Sequence, residues 1–496
     1  MKKSIFGILL VMEGLFLLFN TAVAYYYHCT LGEADWKAFA WTTAVTLLSG
    51  FLLTTYGHTR FGRSEKQLSR GGSVIVVGLT WVILSIFGML PFIIYDGIPM
   101  GPVSAYFEAM NGFTTTGSTV LSDVDSQPHG ILLWRSLMQW MGGLGIVVFS
   151  FALIPVSDMK NANMFQAETT GISLNRLTPK IGSTARRLLL IYILLTCACA
   201  LCYWLGPMDI FDAVNHALTT ISTGGYSTHT ENLGYFHSAY IEYVASAFMM
   251  ISAINFSLFY YITILRPKTF YKNEEMRSYM LTFLGMTAIF CLLFHFIPQY
   301  NAAQEELKGE ELFRTSLFHV SSVLTSTAFA GQNYNYVLWG TPFWMPTLVM
   351  MIIGGCAGST SGGVKMVRVI IYIKYVIREF RTHLHPHAVF SVKMNNRVVP
   401  DQHVRRALSY LVVYVLLMIM GTAVFTMFFG YDMDTSFSAC VSCFSNVGPA
   451  LGSLGPAGNY AAVPALGKLL LCFLMLVGRL EIFTVLFLFM PKAWRL

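Results

Sequence analysis

Ten apolar runs dominate this sequence, near 4–26, 38–57, 72–96, 131–155, 186–206, 238–265, 278–297, 343–376, 407–430 and 466–490. Each approaches or exceeds the roughly 20 residues that a helix needs to cross a bilayer core. Lipid offers the backbone no hydrogen bonds, so a segment that spans it must satisfy its own N–H and C=O groups as a helix. Composition agrees: 55% of residues are hydrophobic and 11% charged, against about 25% charged in soluble domains. The pattern predicts an all-α polytopic membrane protein. Met1-Lys2-Lys3 before the run Ile5 to Ala24 has the look of a signal-peptide start, but Tyr25, Tyr26, Tyr27 and His28 follow instead of a small-residue cleavage site, so a retained first helix is expected.

An even number of spans puts both termini on one side. With that side cytoplasmic, the inner segments collect most of the 32 basic residues, among them Arg63, Lys66, Lys160, Arg176, Lys180, Arg266, Lys268, Lys374, Arg378, Arg405, Lys492 and Arg495. This is the bias of the positive-inside rule, and it explains the net charge of +7 without nucleic acid. Cytoplasmic termini in a multi-pass protein of the cell (inner) membrane are expected. The nine cysteines lie mostly inside apolar runs, which points to buried thiols over a disulfide framework. Cys440-x-x-Cys443 has a metal or redox spacing but lacks a second Cys/His pair, so packing is its simpler role.

Four predicted outer connections share one shape: a half-hydrophobic helix, then a Thr/Ser/Gly tract, then the next span. The tracts are Phe113-Thr-Thr-Thr-Gly-Ser-Thr119, Thr220-Ile-Ser-Thr-Gly-Gly-Tyr226, Leu324-Thr-Ser-Thr-Ala-Phe-Ala330 and Phe444-Ser-Asn-Val-Gly-Pro-Ala450. Taking Gly117, Gly224, Ala328 and Gly448 as the register, they recur about every 110 residues. The helices before them, 103–113, 210–220, 312–324 and 434–444, reach only about half-way through the hydrocarbon, so each must enter and return on one side. A single tract is equally well an ordinary turn capped by hydroxyls. Four in register define a unit that cannot surround an ion alone but can in a set of four.

Such tracts suit a cation. Irregular backbone at membrane depth survives only where protein buries it or where it lines water. Glycine admits the dihedrals that turn successive carbonyls toward one axis, where a ring of them replaces the hydration shell of a potassium ion. Each half-helix also aims the partially negative end of its dipole at that axis.

Four stretches carry a specific resemblance: Phe107-Glu-Ala-Met-Asn-Gly-Phe-Thr-Thr-Thr-Gly-Ser118, Ile221-Ser-Thr-Gly-Gly-Tyr226, Gly354-Gly-Cys-Ala-Gly-Ser-Thr-Ser-Gly-Gly363 and Gly478-Arg-Leu-Glu-Ile-Phe483. With them the chain resembles the Trk/Ktr/HKT superfamily of potassium transporters, and within it the TrkH-type membrane subunits. The resemblance implies four pseudo-symmetric M1–pore-loop–M2 repeats around one central pore plus an N-terminal two-helix hairpin. On this chain they fall at 1–70 (hairpin and inner loop), 71–160, 161–270, 271–385 (with a broken M2 helix) and 386–496. It further implies potassium uptake through a filter of Thr115, Thr116, Gly117, Ser222, Thr223, Gly224, Ser326, Thr327, Ala328, Asn446, Val447 and Gly448. Potassium is then the cargo, with no prosthetic group and no enzymatic activity. A homodimer and a cytosolic TrkA-type nucleotide-binding regulatory subunit are the implied partners. The third tract departs from the family, which carries glycine where this chain has Ala328. Either its backbone stays in a region that L-residues favour or the ring is distorted, which keeps a sodium-selective or sodium-coupled transporter of the same fold open.

The run 343–376 is interrupted by Gly354-Gly-Cys-Ala-Gly-Ser-Thr-Ser-Gly-Gly363, five glycines in ten residues. Gly354, Gly358 and Gly362 also fit a small-xxx-small helix-packing pattern. A break is favoured, since each glycine costs a helix about 1 kcal/mol. The family implies an intramembrane gating loop here, of Gly354, Gly355, Gly358, Ser359, Thr360, Ser361, Gly362 and Gly363, with Arg479 beside it. Arg479 lies near the middle of the last span, where charge is expensive and faces protein or a cavity. It pairs with a distant carboxylate or acts beside the ion path, while Glu481, two residues on, is off its helix face. Lys365 and Arg368 fall at the pore or at the inner interface. His383, His385 and His387 have spacing open to a transition metal, though alternation in a loop is commonly just solvated. Glu168, Glu274 and Glu275 lie on inner loops open to a regulatory partner. Asp123 and Asp125 either draw cations to the outer mouth or only solvate it.

Overall fold

The computed structural model describes residues 2–61, 70–98, 100–152, 181–263, 270–301, 304–333 and 337–490. Glu168 and the basic residues Arg63, Lys66, Lys160, Arg176, Lys180, Arg266, Lys268, Lys492 and Arg495 lie outside them. The described chain is helical apart from one two-stranded hairpin, Lys393–Met394 paired with Arg397–Val398.

Helices Lys2–Leu31 and Trp36–Phe61 form an N-terminal antiparallel pair. Gly7 faces Thr54 and Gly50 faces Val11 so closely that a methyl on either would collide, the small-residue contact that lets membrane helices approach. The pair docks on helix His129–Ala152 through Asn20 Nδ2 donating to the Gly130 carbonyl at 3.0 Å and Glu33 bonding the His129 ring at 2.6 Å.

Among the described residues, six helices are long and apolar enough to cross a membrane: Ile5–Leu31, Trp36–Tyr56, Ile75–Ile94, Ala185–Trp204, Glu274–Phe296 and Asp401–Phe429. Two of the ten expected spans are corrected by the structure. The run 238–265 is split into Ala239–Ser252 and Phe256–Thr263, and the run 466–490 into Ala465–Arg479 and Ile482–Leu488. The break foreseen in the third such run is real: helix Thr341–Ile353 ends at Gly354 and helix Met366–Leu384 begins after Lys365. Gly354, Gly358 and Gly363 have φ of 68°, 73° and 78°, so the small-xxx-small helix reading does not apply.

The four short helices form where the sequence places them: Pro102–Thr114, Ile210–Ile221, Gly309–Leu324 and Met433–Phe444. Their starts follow from capping chemistry. Pro102 occupies the first turn, where its missing N–H is no loss. Asp209 and Asp432 accept from the backbone N–H of Asp212 and Thr435, and Glu310 and Glu311 sit in the first turn of the third, complementing the dipole. Their last turns are buried, so the tracts begin inside the protein.

Candidate functional site: four tracts and the segment beneath them

Each tract leaves its helix by the same route. The N–H of Thr115, Thr223, Ser326 and Asn446 bonds the carbonyl of Gly112, Thr220, Val323 and Cys443, at 3.0, 3.0, 3.0 and 3.3 Å. The next N–H, of Thr116, Gly224, Thr327 and Val447, reaches back to Asn111, Thr219, Ser322 and Ser442 at 3.0, 2.8, 3.0 and 2.9 Å. Left-handed residues then alternate two apart: Thr115 and Gly117 (φ 52° and 88°), Thr223 and Gly225 (54° and 78°), Ser326 and Ala328 (57° and 61°), Asn446 and Gly448 (52° and 114°).

This recurrence corrects one register. The residue matching Gly117, Ala328 and Gly448 is Gly225; Gly224 matches Thr116, Thr327 and Val447, and Ser222 matches Thr114, Thr325 and Ser445. Adjacent glycines made the two frames indistinguishable in sequence, and only the return hydrogen bond separates them. The expectation for Ala328 is also resolved. It adopts the left-handed φ of its glycine counterparts despite its methyl group, a conformation that costs an L-residue about 1–2 kcal/mol. Its N–H is held by the Ser322 carbonyl at 3.0 Å, and the Ser322 hydroxyl bonds the Phe329 carbonyl at 2.7 Å.

The tracts touch one another. Ser118 Oγ donates to the Gly448 carbonyl at 3.0 Å, and Asn446 Nδ2 to Thr116 Oγ1 at 3.0 Å. A Cβ on Gly117 would strike the Gly224 carbonyl, and one on Gly225 the Thr327 carbonyl. Gln139 donates to the Gly224 carbonyl at 2.7 Å while accepting from Tyr226 N–H at 3.1 Å. A buried ion pair braces this layer: Arg135 Nε meets Glu108 Oε1 at 2.9 Å, and its guanidinium lies 4.1 Å from the centre of the Tyr226 ring. Glu108 also accepts from Val120 N–H at 2.9 Å. Sequence reading passed over Arg135, Glu108 and Gln139, although an arginine inside the run 131–155 is the kind of costly intramembrane charge that flags a site.

Residues 354–365 lie against the helix ends that carry the tracts. Gly362 N–H bonds Ser326 Oγ at 2.6 Å, Gly363 N–H the Ser445 carbonyl at 2.9 Å, and Thr360 Oγ1 the Ile221 carbonyl at 3.1 Å. The segment also joins the other two breaks. Cys356 N–H donates to Ala253 at 2.9 Å, and the Gly358 carbonyl accepts from Phe256 N–H at 3.1 Å. Arg479 is buried and donates to the carbonyls of Thr360 (2.6 Å) and Gly142 (3.4 Å). Among the described residues no carboxylate forms an ion pair with it, so the distant-carboxylate alternative is not what the structure holds. Glu481 instead pairs with Arg368 at 2.8 Å, and Lys365 Nζ donates to the Ser361 carbonyl.

Glu274 and Glu275 divide. Glu274 is ion-paired with Lys374 and accepts from Asn395 N–H at 2.9 Å. Glu275 is buried and accepts from Ala357 N–H at 2.6 Å, so it holds the broken segment and does not present itself to a partner. At the opposite face Asp125 is engaged by His229 at 2.7 Å, and His229 reaches Asp212 at 3.1 Å while stacking on Tyr235. Burial works against ionisation of all three. The mutual hydrogen bonds and charges outweigh it, holding His229 above its ordinary pKa and both carboxylates below theirs. Asp123 accepts from Ser126 N–H. Among the described residues no group of three or more His, Cys, Asp and Glu is placed to hold a metal; His383, His385 and His387 are exposed, and Cys440 and Cys443 are buried free thiols.

Helices of membrane-crossing length around buried, irregular backbone make this a polytopic membrane protein, since such backbone is stable at depth only inside protein. Comparison with known proteins narrows the class. The profile of the TrkH family, described as cation transport protein, matches residues 51–496. The Trk system potassium uptake protein TrkH of Halomonas elongata is 36% identical over 497 residues, covering 100% of this chain and 99% of that one. Its namesake in Escherichia coli K12 is 34% identical over 495 residues, covering 99% and 98%. The crystal structure of the potassium transporter TrkH from Vibrio parahaemolyticus superposes with a TM-score of 0.86 at 31% identity, covering 99% of both chains. The chain belongs to the TrkH family.

Proposed function

We propose that this chain takes up potassium across the cell membrane through a filter of backbone carbonyls from the four tracts. The observation that carries the reading is the fourfold recurrence of one backbone course in tracts that touch each other. In this reading the chain forms four M1–pore-loop–M2 repeats and an N-terminal hairpin, with the boundaries given above. The filter comprises Thr115, Thr116, Gly117, Thr223, Gly224, Gly225, Ser326, Thr327, Ala328, Asn446, Val447 and Gly448. Ser222 stands at its base beside Thr114, Thr325 and Ser445.

Segment 354–365 and Arg479 are the gate. Backbone that crosses beneath the ends of the short helices, with a guanidinium bonded to it, opposes a cation on the axis by sterics and by charge. Cytoplasmic termini, a homodimer and a cytosolic nucleotide-binding subunit of the TrkA type complete the proposal. That subunit would act on the inner face around Lys374, Arg378 and Arg405. The names of the relatives support potassium as cargo. The left-handed Ala328 supports it too, because the third tract keeps the course of the other three.

The test is uptake by a potassium-requiring strain expressing this chain, followed by ion competition in proteoliposomes. Growth at limiting potassium, and flux saturated by potassium but insensitive to equal sodium, is expected. Flux that saturates with sodium and ignores potassium would replace potassium with sodium as the cargo.

A further inference from the structure

Ion conduction leaves unused a groove of about 1140 Å³ between helices Lys2–Leu31 and His129–Ala152 and the short helix Ile210–Ile221. Its floor is the buried set Leu133, Leu137, Leu218 and Asn215, and its rim the exposed Leu15, Phe19, Trp204 and Val214. From Met12 to Tyr27, both of which line it, a helix rises about 22 Å. That exceeds the roughly 15 Å half-thickness of a bilayer core, so the groove matches one leaflet and its headgroup zone. Its polarity follows the same axis. Met12, Leu15 and Phe16 mark the deep end; Tyr26, Tyr27 and Asp209 mark the other, where the short helix begins.

Asn215 and Asp209 are the amide and the carboxylate along it. Asn215 is almost wholly buried; its Nδ2 donates to the Phe211 carbonyl at 2.8 Å, and its Oδ1 has no partner. That oxygen is closed off from the groove as well, so the amide takes no part in binding. Asp209 supplies a carboxylate, of which Oδ1 accepts from Asp212 N–H, and no lysine or arginine lines the groove. We propose that the groove is a lipid site for a phospholipid with a primary-amine (ethanolamine-class) headgroup. Its acyl chain lies over Leu133, Leu137 and Leu218, and its ammonium end is held by Asp209. Asp209 disfavours an anionic phosphoglycerol head, and a choline head carries charge without an N–H. The lipid packs on the helix that delivers the second tract, so occupancy supports that tract from behind.

The test uses the full chain in nanodiscs of equal phosphatidylethanolamine, phosphatidylcholine and phosphatidylglycerol, with the retained lipids counted by native mass spectrometry after transfer to detergent. Preferential retention of phosphatidylethanolamine is expected. Asp209→Asn keeps the helix cap, since asparagine caps as well as aspartate, but removes the charge; it should lower that retention about tenfold, the factor of one charge-assisted contact. Val214→Trp fills the groove and should abolish it. Both should leave the thermal midpoint in lipid-free detergent unchanged; if Val214→Trp does not fold, Asp209→Asn decides alone. Equal retention of the three lipids, or preference unaltered by Asp209→Asn, overturns the proposal. So does efficient disulfide cross-linking of two chains through Val214→Cys, which would seat a second copy there. The readout is lipid and not flux, so its failure leaves the ion pathway standing, and the reverse holds.

Discussion

The tracts and segment 354–365 are both irregular backbone buried among helices, yet they differ in how far they depend on distant partners. Each tract is closed onto the helix just before it, by return bonds of 2.8–3.0 Å from residues 116, 224, 327 and 447. Segment 354–365 is closed only at its base, where Val364, Lys365 and Met366 N–H bond the carbonyls of Ile352, Ile353 and Gly355; beyond that Ala253, Ser445, Ile221, Glu275 and Arg479 hold it from five separate stretches of chain. A shape closed locally persists when its neighbours move. A shape that depends on distributed partners is released when any of them shifts, as bistable elements are. The helices that follow the tracts differ in step. His129–Ala152 is continuous, whereas the other three are interrupted, and the interruptions bond to one another. In the proposed reading the tracts are the filter and segment 354–365 the gate, and this difference in fastening is what that division of labour requires.

Substitutions can break or sharpen that contrast. The largest effect is expected from Glu108→Ala, which strands the buried Arg135 guanidinium and should cost about 3–5 kcal/mol; an unchanged denaturation midpoint in detergent would show that the pair does not brace the tract layer. Gly225→Val drives a side chain into the Thr327 carbonyl and should cost about 1–3 kcal/mol, with potassium-over-sodium discrimination in proteoliposome flux lost. The same change at Gly224, whose φ lies outside the left-handed region, meets the Gln139 side chain instead of a tract carbonyl and should be milder. Equal effects at both would reject the revised register. Arg479→Ala should raise basal potassium flux about tenfold, equivalent to about 1.4 kcal/mol, without altering ion preference. A change in preference would merge the two layers into one function.

Smaller effects lie at the edges. Ala328→Gly relieves the left-handed methyl and should add about 0.5–1 kcal/mol of stability, after the greater freedom of glycine in the unfolded chain is offset, read as a higher thermal midpoint. His229→Gln tests the tie between the first and second tracts' loops. The raised histidine contributes stability below its ordinary value of 6.5 and loses it as pH rises through the higher folded value. The lowered Asp125 and Asp212 contribute above their ordinary 3.8 and lose it as pH falls through the lower folded values. The tie is therefore fullest between those limits. His229→Gln should lower the midpoint near pH 5.5 by the equivalent of about 0.5–1 kcal/mol and have little effect near pH 9.

The short helices could be read from sequence to within a few residues because Pro102, Asp209, Glu310 and Asp432 are local signals. The glycine-rich break was legible for the same reason. The breaks at Ala253–Asn255 and Leu480–Glu481 were not: no glycine or proline lies in the first, and Gly478 before the second is still inside helix Ala465–Arg479, where it packs on the Phe444 carbonyl. At the first, Ala253 and Phe256 are bonded across to segment 354–365; at the second, Glu481 takes a left-handed φ of 66° beside Arg368. Gly225 was hidden by its twin, and Glu275 looked like surface because its partner, Ala357 N–H, lies 82 residues away. Contacts between distant stretches leave no local trace.

The central claim is tested most directly by diffraction from crystals soaked in rubidium, a potassium surrogate with strong anomalous scattering. Peaks on the axis among the carbonyls of residues 115–117, 223–225, 326–328 and 446–448, lost when sodium replaces rubidium, are predicted. Anomalous density elsewhere, or none between those four tracts, would contradict the account.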